Sequence, residues 1–316
     1  MTGTARVVRG ARPPATAVPV LDIGGTHVTA ALVDPAAAGS PVLEAVRLPL
    51  DAHAPAGALL DRVAEAGRGI GAPAGGRWGV AVPGPFDYAA GVGRFRDVGK
   101  FDALDGVDVG AELAGRLLPR PSGLVFLNDA DAFALGEYHA GAARGRRRVL
   151  GITLGTGVGT SFLDAGMPVT DGPEVPPDGR AHLLSVDGVP LEEVVSRRAI
   201  LARYAAGAAE AVDVREIAGR ARAGERRAAA TLAHCFGALG RALAPWCERF
   251  RPQVVVVGGS MTASWDLIGP ALRTGLAAGG EPEGRWELRP AARPADAPLA
   301  GAAHWALRAA RQPALE

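Results

Sequence analysis

Three times in this chain an apolar run ends in a glycine cluster. Residues 18–33 read Val-Pro-Val-Leu-Asp-Ile-Gly-Gly-Thr-His-Val-Thr-Ala-Ala-Leu-Val, and residues 150–162 read Leu-Gly-Ile-Thr-Leu-Gly-Thr-Gly-Val-Gly-Thr-Ser-Phe. Residues 254–260 read Val-Val-Val-Val-Gly-Gly-Ser. The first two runs pass through their glycines into a second β-rich run, the pattern of a hairpin. The third is apolar throughout, as in a parallel sheet covered on both faces. Adjacent glycines allow φ > 0 and let a backbone approach an anion with no Cβ in the way. Ligands of open α/β sheets sit beyond the carboxyl ends of strands, so three such exits predict two related α/β halves around one phosphate-bearing ligand. No lysine follows the first glycine pair and no helix opens there, which separates it from the Walker phosphate loop. Asp22, just ahead of the turn, is placed to hold a hydrated Mg²⁺.

With 316 residues the chain is long enough for two domains. Its net charge of +1 gives no reason to expect nucleic acid or an anionic membrane as partner. The one basic run, Arg144 to Arg148, lies just before a strand and reads as a solvated loop. Cys235 and Cys247 are the only cysteines. They make no disulfide framework and no CxxC metal site, and read as buried core thiols. No apolar run reaches the ~18 residues of a membrane span. Residues 1–17 lack the apolar core of a secretion signal and are expected to be a flexible leader, which together point to a cytoplasmic protein.

Strands are expected over Val18–Val33, Val42–Leu48, Trp78–Val82 and Leu124–Leu127, with a helix over Ala56–Gly69. Asn128 and Asp129 then fall at a strand's carboxyl end, ahead of a small-residue helix to Ala140. Strands over Val149–Leu154, Thr160–Leu163 and Val254–Val257 follow. Around them come helices over Leu191–Ala209, Val214–Ala223, Glu225–Phe250 (with Pro245 as a kink), Thr262–Ala277 and Gly301–Arg311.

Residues 127–137, Leu-Asn-Asp-Ala-Asp-Ala-Phe-Ala-Leu-Gly-Glu, resemble the signature of the ROK family (repressors, open reading frames and sugar kinases) of the actin-like ATPase and sugar-kinase superfamily. Val82-Pro83-Gly84-Pro85-Phe86-Asp87, the glycines at 155–159, Leu191-Glu192 with Ser196, Gly258–Gly259 and Gly301-Ala302-Ala303 follow the family's order. The resemblance implies an α/β fold of two actin-like (ribonuclease H-like) domains closing on a cleft: 18–128 with 301–316, and 129–300. It implies ATP-dependent phosphorylation of the primary hydroxyl of a hexose, with Mg²⁺, in a homodimer. Such transfer needs phosphate positioning, metal and a base. Asp129 takes the role of base, and Asn128, Gly84, His182 and Glu192 those of sugar contacts. Asp87 shares the Gly84 loop and is a weaker candidate for that wall. Asp22, Gly24, Gly25, Thr26, Gly155, Thr156, Gly157, Gly258 and Gly259 surround ATP, with Asp22 holding Mg²⁺ through water. Asn128 and Asp129 would also serve chemically as helix caps.

One segment departs from the family. There Glu-x-Gly-His precedes a cysteine zinc loop and a Gly-Cys-Leu-Glu; here 179–192 read Gly-Arg-Ala-His-Leu-Leu-Ser-Val-Asp-Gly-Val-Pro-Leu-Glu. Without the thiolates no structural zinc is expected. Gly179 stands where the motif glutamate belongs, and Glu174 is the alternative source of that carboxylate. A pocket changed at the sugar's C1–C3 edge suits an amino sugar such as kanosamine, a 3-amino-3-deoxyglucose. The alternatives are a glucokinase of ordinary specificity, a sugar-binding ROK regulator and a non-catalytic remnant. Too few residues precede Val18 for such a regulator's helix-turn-helix.

Overall fold

The computed structural model describes residues 5–8, 14–37, 40–205, 212–278 and 286–311. The chain forms two compact units, Met1–Gly136 with Ala295–Glu316, and Glu137–Pro294. The division falls between Gly136 and Glu137, within a helix, rather than at Asn128–Asp129. The return comes at Ala295, ahead of Gly301.

The first unit contains β1 (Ala5–Val8), β2 (Val18–Ile23), β3 (His27–Val33), β4 (Val42–Pro49), α1 (Ala56–Arg68) and β5 (Arg77–Val82). A short hairpin of β6 (Phe86–Asp87) and β7 (Val92–Gly93) leads to α2 (Val109–Arg116), β8 (Gly123–Asn128) and the first turns of α3 (Asp129–Ala140). The sheet order is β1-β4-β3-β2-β5-β8, antiparallel up to β2 and parallel from β2 to β8. Part of the expected flexible leader is therefore structured: β1 pairs with the outer edge of β4, Ala5 opposite Arg47. An unpaired strand edge offers a row of donors and acceptors, and the run Ala-Arg-Val-Val is able to take them.

The α1 helix turns Leu59, Leu60, Val63 and Ala66 into a core shared with Trp78, Phe95, Phe101 and Phe126. The C-terminal helix of the chain packs on β2, β5 and β8. At Gly79 of β5 its backbone comes so close that a Cβ would overlap Ala302.

The second unit opens with the end of α3, then β9 (Arg148–Leu154), β10 (Val158–Asp164), β11 (Met167–Pro168), β12 (Ser185–Val186) and β13 (Val189–Pro190). Helices α4 (Glu192–Val195), α5 (Arg197–Ala205), α6 (Val214–Arg222) and α7 (Arg226–Phe250) follow, then β14 (Val254–Gly258), α8 (Trp265–Ala277) and β15 (Glu287–Pro290). The chain ends in α9 (Ala297–Arg311), the helix that belongs to the first unit. The order β11-β10-β9-β14-β15 repeats the plan of the first sheet. In each, an antiparallel hairpin (β2–β3, β9–β10) is flanked on its first strand by two parallel strands.

The helix expected over Leu191–Ala209 is broken. Ser196 takes extended backbone between α4 and α5, and its Oγ accepts from Ala199 N at 3.2 Å, a cap that starts α5. Residues 206–209 of that expectation lie outside the described residues. A 3₁₀ turn at Ser260–Ser264 replaces the first turn of the helix expected from Thr262. Helix α7 continues through Pro245 to Phe250. Among the described residues no helix is long and apolar enough to cross a membrane.

Candidate active site

In the first unit β2, β5 and β8 are parallel neighbours. Asp22 pairs with Ala81, and Val82 with Asn128. The register sets Asp22, the Gly84 turn and the Asn128–Asp129 pair side by side at the carboxyl ends of three adjacent strands, where open α/β sheets bind ligands. Asn128 is buried. Its Oδ1 accepts from Ala130 N at 3.0 Å, and Asp129 Oδ1 accepts from the same N–H at 2.9 Å, so the capping chemistry is present as well.

Only an oxygen can accept a backbone N–H, so the cap fixes which way the Asn128 amide points. Its Nδ2 donates to Tyr88 Oη at 2.9 Å. Tyr88 was not singled out from sequence; the available signal was an aromatic residue in a turn of otherwise small and polar residues. Its hydroxyl lies 3.3 Å from where a Cβ on Gly84 would stand, a tight approach that the bare glycine relieves. The ring of Tyr88 packs 5.4 Å from that of Phe86. Asp87 works within its own turn, accepting from Ala90 N at 3.0 Å and from Arg94 at 3.2 Å.

Asp22 is the electrostatic centre of this edge. Burial, followed by repulsion from Asp129, pushes its carboxyl up to about 7, while Arg47 pulls the other way. Asp22 pairs with Thr29 across the β2–β3 ladder and Thr29 pairs with Arg47 across β3–β4, so the three share one face. Arg47 also bonds His27, whose other ring nitrogen meets Thr26 Oγ1 at 2.8 Å. Burial and then Arg47 hold the His27 pKa down. Arg47 is a second residue that sequence reasoning missed, because only the antiparallel register brings it to the hairpin.

The glycine turn works differently from the sequence expectation. Neither Gly24 nor Gly25 adopts positive φ. The turn closes through Gly24 N donating to His27 O at 2.9 Å. A Cβ on Gly24 would press on that carbonyl at 3.3 Å, while one on Gly25 would meet nothing within 4 Å. Gly25 therefore leaves open space beside a backbone turn.

In the second unit β9 and β14 are parallel neighbours, with Thr153 opposite Gly258. Gly155–Gly157 and Gly258–Gly259 thus leave adjacent strands at the same edge. Gly259 has φ 93° and a Cβ there would overlap the Leu154 carbonyl, so glycine is required. Gly155, like Gly25, faces open space. Glu192 opens α4 directly against this loop: a Cβ on Gly157 would stand 2.5 Å from Glu192 Oε1. Arg197 N donates to Thr156 O at 3.2 Å and ties the start of α5 to the same loop.

His182 lies on an exposed 3₁₀ turn, Ala181–Leu183. Thr160 secures that segment: its Oγ1 donates to Gly179 O and accepts from Ala181 N, each at 2.8 Å. Gly179 has φ 68° and its Cβ would approach Val169 O to 3.0 Å, so a glutamate there would be strained. Glu174 is held by both Arg148 terminal nitrogens, at 2.8 and 3.3 Å. A bidentate pair of this kind commits the Glu174 carboxylate to Arg148.

The residues present suit a magnesium nucleotide. Asp22 is a desolvated carboxylate, and in the same unit Gly25 leaves room for phosphate oxygens. Among the described residues no three His, Cys, Asp or Glu side chains gather into a metal cluster.

The sequence matches the ROK family over residues 19–174 and 187–309. The segment passed over, 175–186, contains Gly179 and His182, so the departure seen in the sequence coincides with a break in the family pattern. The chain is 32% identical to a glucokinase of Thermotoga maritima over 219 residues, 62% of this chain and 67% of the relative. The crystal structure of a ROK hexokinase from Thermus thermophilus superposes with a TM-score of 0.73 at 28% identity, covering 93% of this chain and 99% of that one. An inorganic polyphosphate/ATP-glucomannokinase from Arthrobacter sp. strain KM matches at 26% identity with a TM-score of 0.67, covering 92% and 99%. A family match over most of the chain, on a fold with two glycine hairpins and an Asn-Asp helix start, places this protein in the ROK family.

Proposed function

We propose that this chain is a hexose kinase that transfers the γ-phosphoryl group of ATP to the sugar's primary hydroxyl. The observation that carries the reading is the pairing of Asp129, at the start of α3, with the desolvated Asp22 at the neighbouring strand end. Asp129 accepts the hydroxyl proton as the oxygen attacks phosphorus. Asn128, held by its cap and by Tyr88, presents its remaining N–H to a sugar hydroxyl. Glu192 and His182 are the further sugar contacts, and Gly84 forms part of the wall. The phosphates lie along Gly24–Thr26, Gly155–Gly157 and Gly258–Gly259. Mg²⁺ held by Asp22 through water would neutralise phosphate charge. The relatives named above are a glucokinase, a hexokinase and a glucomannokinase, which supports a hexose as acceptor. A sugar-binding regulator has no need of two opposed carboxylates beside a phosphate turn.

The acceptor follows from what replaces the motif glutamate. Gly179 carries none and Glu174 is committed to Arg148, so Glu192 is the carboxylate left for that edge of the sugar. A carboxylate pairs more strongly with an ammonium than with a hydroxyl, which favours a 3-amino hexose such as kanosamine. The second reading, a glucokinase of ordinary specificity, is favoured by the Thermotoga relative.

A coupled ADP-release assay over a panel of hexoses, with NMR of the product, tests both. The expected result is a 6-phosphate and a higher kcat/KM for the 3-amino hexose than for glucose. Glucose preferred by tenfold or more selects the second reading, and no ADP release with any hexose overturns the kinase assignment.

A further inference from the structure

Where α5 and α7 lie together in the second unit, they leave an open cavity of about 570 Å³. That is within the ~300–1,000 Å³ range of small-molecule sites. Its floor is small and buried, with Ala199 and Thr231, and three guanidinium groups border it, those of Arg198, Arg203 and Arg227. Glu193 is the one carboxylate among the lining residues, and it is engaged by Arg198.

Several guanidinium groups of the second unit are matched by carboxylates, as in Arg148–Glu174, Arg220–Glu216 and Arg222–Asp266. Among the described residues no carboxylate pairs with Arg203 or Arg227. Arg227 is held instead by stacking 4.6 Å from the centre of the Tyr204 ring. The Tyr204 hydroxyl donates to Glu225 at 2.7 Å and accepts from Arg220 at 3.0 Å, which fixes the ring in place. One side of the rim is therefore set before any ligand arrives.

Along the exposed face of α7, His234 and Arg241 continue from Arg227 at heptad spacing, and Asp187 meets Arg241 at 3.7 Å. His234 has its pKa lowered first by burial and then by Arg203 and Arg241, with Asp187 opposing. Two uncompensated guanidinium forks around a pocket with small walls are the chemistry that recognises phosphate oxygens bidentately.

We propose that this cavity binds a small phosphate-bearing anion of two or more negative charges, gripped by Arg203 and Arg227, with Arg198 exchanging Glu193 for the ligand. The site goes beyond the kinase reading and shares no residue with it. An inorganic oligophosphate and a phosphorylated sugar both carry the required chemistry.

Isothermal titration of the whole protein, with a saturating non-hydrolysable ATP analogue present, tests the proposal. The probes are sodium tripolyphosphate and glucose 6-phosphate. One equivalent of at least one probe should bind, and the tighter of the two identifies the source. The double variant Arg203→Gln/Arg227→Gln should weaken that binding tenfold or more, and Glu193→Gln should tighten it by releasing Arg198. These side chains are exposed, so the variants should keep the circular dichroism of the parent. If neither probe binds, or if the double variant binds as the parent does, the proposal is overturned.

Discussion

Asn128 and Asp129 share one backbone partner, the N–H of Ala130, and both are candidates for the chemistry. The cap holds each side chain in one rotamer before substrate arrives, so the dual duty is an advantage. Asp129→Asn keeps shape and cap but cannot take up a proton. General bases contribute roughly 10²–10⁴-fold, so kcat should fall by at least 100-fold while ATP binding persists. A loss under tenfold would assign the base elsewhere. Asp22 gives a prediction read in stability instead. Its folded pKa is raised from 3.8 to about 7, so the native state binds the proton more tightly than the unfolded chain. The group is neutral in its effect below pH ~4, becomes a growing penalty as pH rises toward 7, and exacts it fully above that. At 1.36 kcal/mol per unit the penalty is at most about 4 kcal/mol. Asp22→Asn should accordingly raise the melting temperature of the metal-free protein at pH 8, have no effect at pH 4, and abolish turnover. Equal melting at pH 8 would mean that Asp22 carries no such strain.

At the scale of elements, the glycine loops differ in what their glycines do. Gly259 is fixed by φ and by the Leu154 carbonyl, whereas Gly25 has only open space where a side chain would go. Gly25→Val should therefore fold normally and lose ATP affinity by tenfold or more, with sugar binding retained. Undiminished ATP affinity in equilibrium dialysis would place the phosphates away from this hairpin. Gly157→Ala should act on both substrates, because its Cβ would meet Glu192 at 2.5 Å. KM for sugar should rise along with KM for ATP, and a change confined to ATP would separate Glu192 from the sugar.

At the scale of the whole molecule, Glu137 is fully buried and accepts three backbone N–H bonds, from Ala142 at 2.6 Å and from Ala292 and Arg293 at 3.1 Å. It ties the first loop of the second unit to the segment just before the chain leaves that unit. Each orphaned buried donor costs about 1–3 kcal/mol, so Glu137→Ala should lose about 3 kcal/mol or more, read as a lowered urea midpoint. An unchanged midpoint would show that water replaces the carboxylate. The absence of zinc is tested on the same preparation: metal analysis should find well under one equivalent, and a chelator should leave the melting curve in place.

The strands, the hairpins and most candidate residues were legible from local pattern, because a buried strand must be apolar and a backbone that approaches an anion must lack a Cβ. Asp22, Asn128 and Asp129 could be read for the same reason, each sitting at the end of such a strand. What surrounds them was decided by tertiary structure. Tyr88 reaches Asn128, and Arg47 reaches Asp22, only through packing and strand register. Glu174 is taken by Arg148, and the crowding at Gly179 comes from a carbonyl ten residues earlier in the chain. The Leu191–Ala209 helix breaks at Ser196, whose own side chain caps α5 locally while the distant Thr156 carbonyl takes Arg197 N. Sequence carries what a residue can do with its immediate neighbours, while pairing across strands and competition for a carboxylate are settled only when distant segments meet.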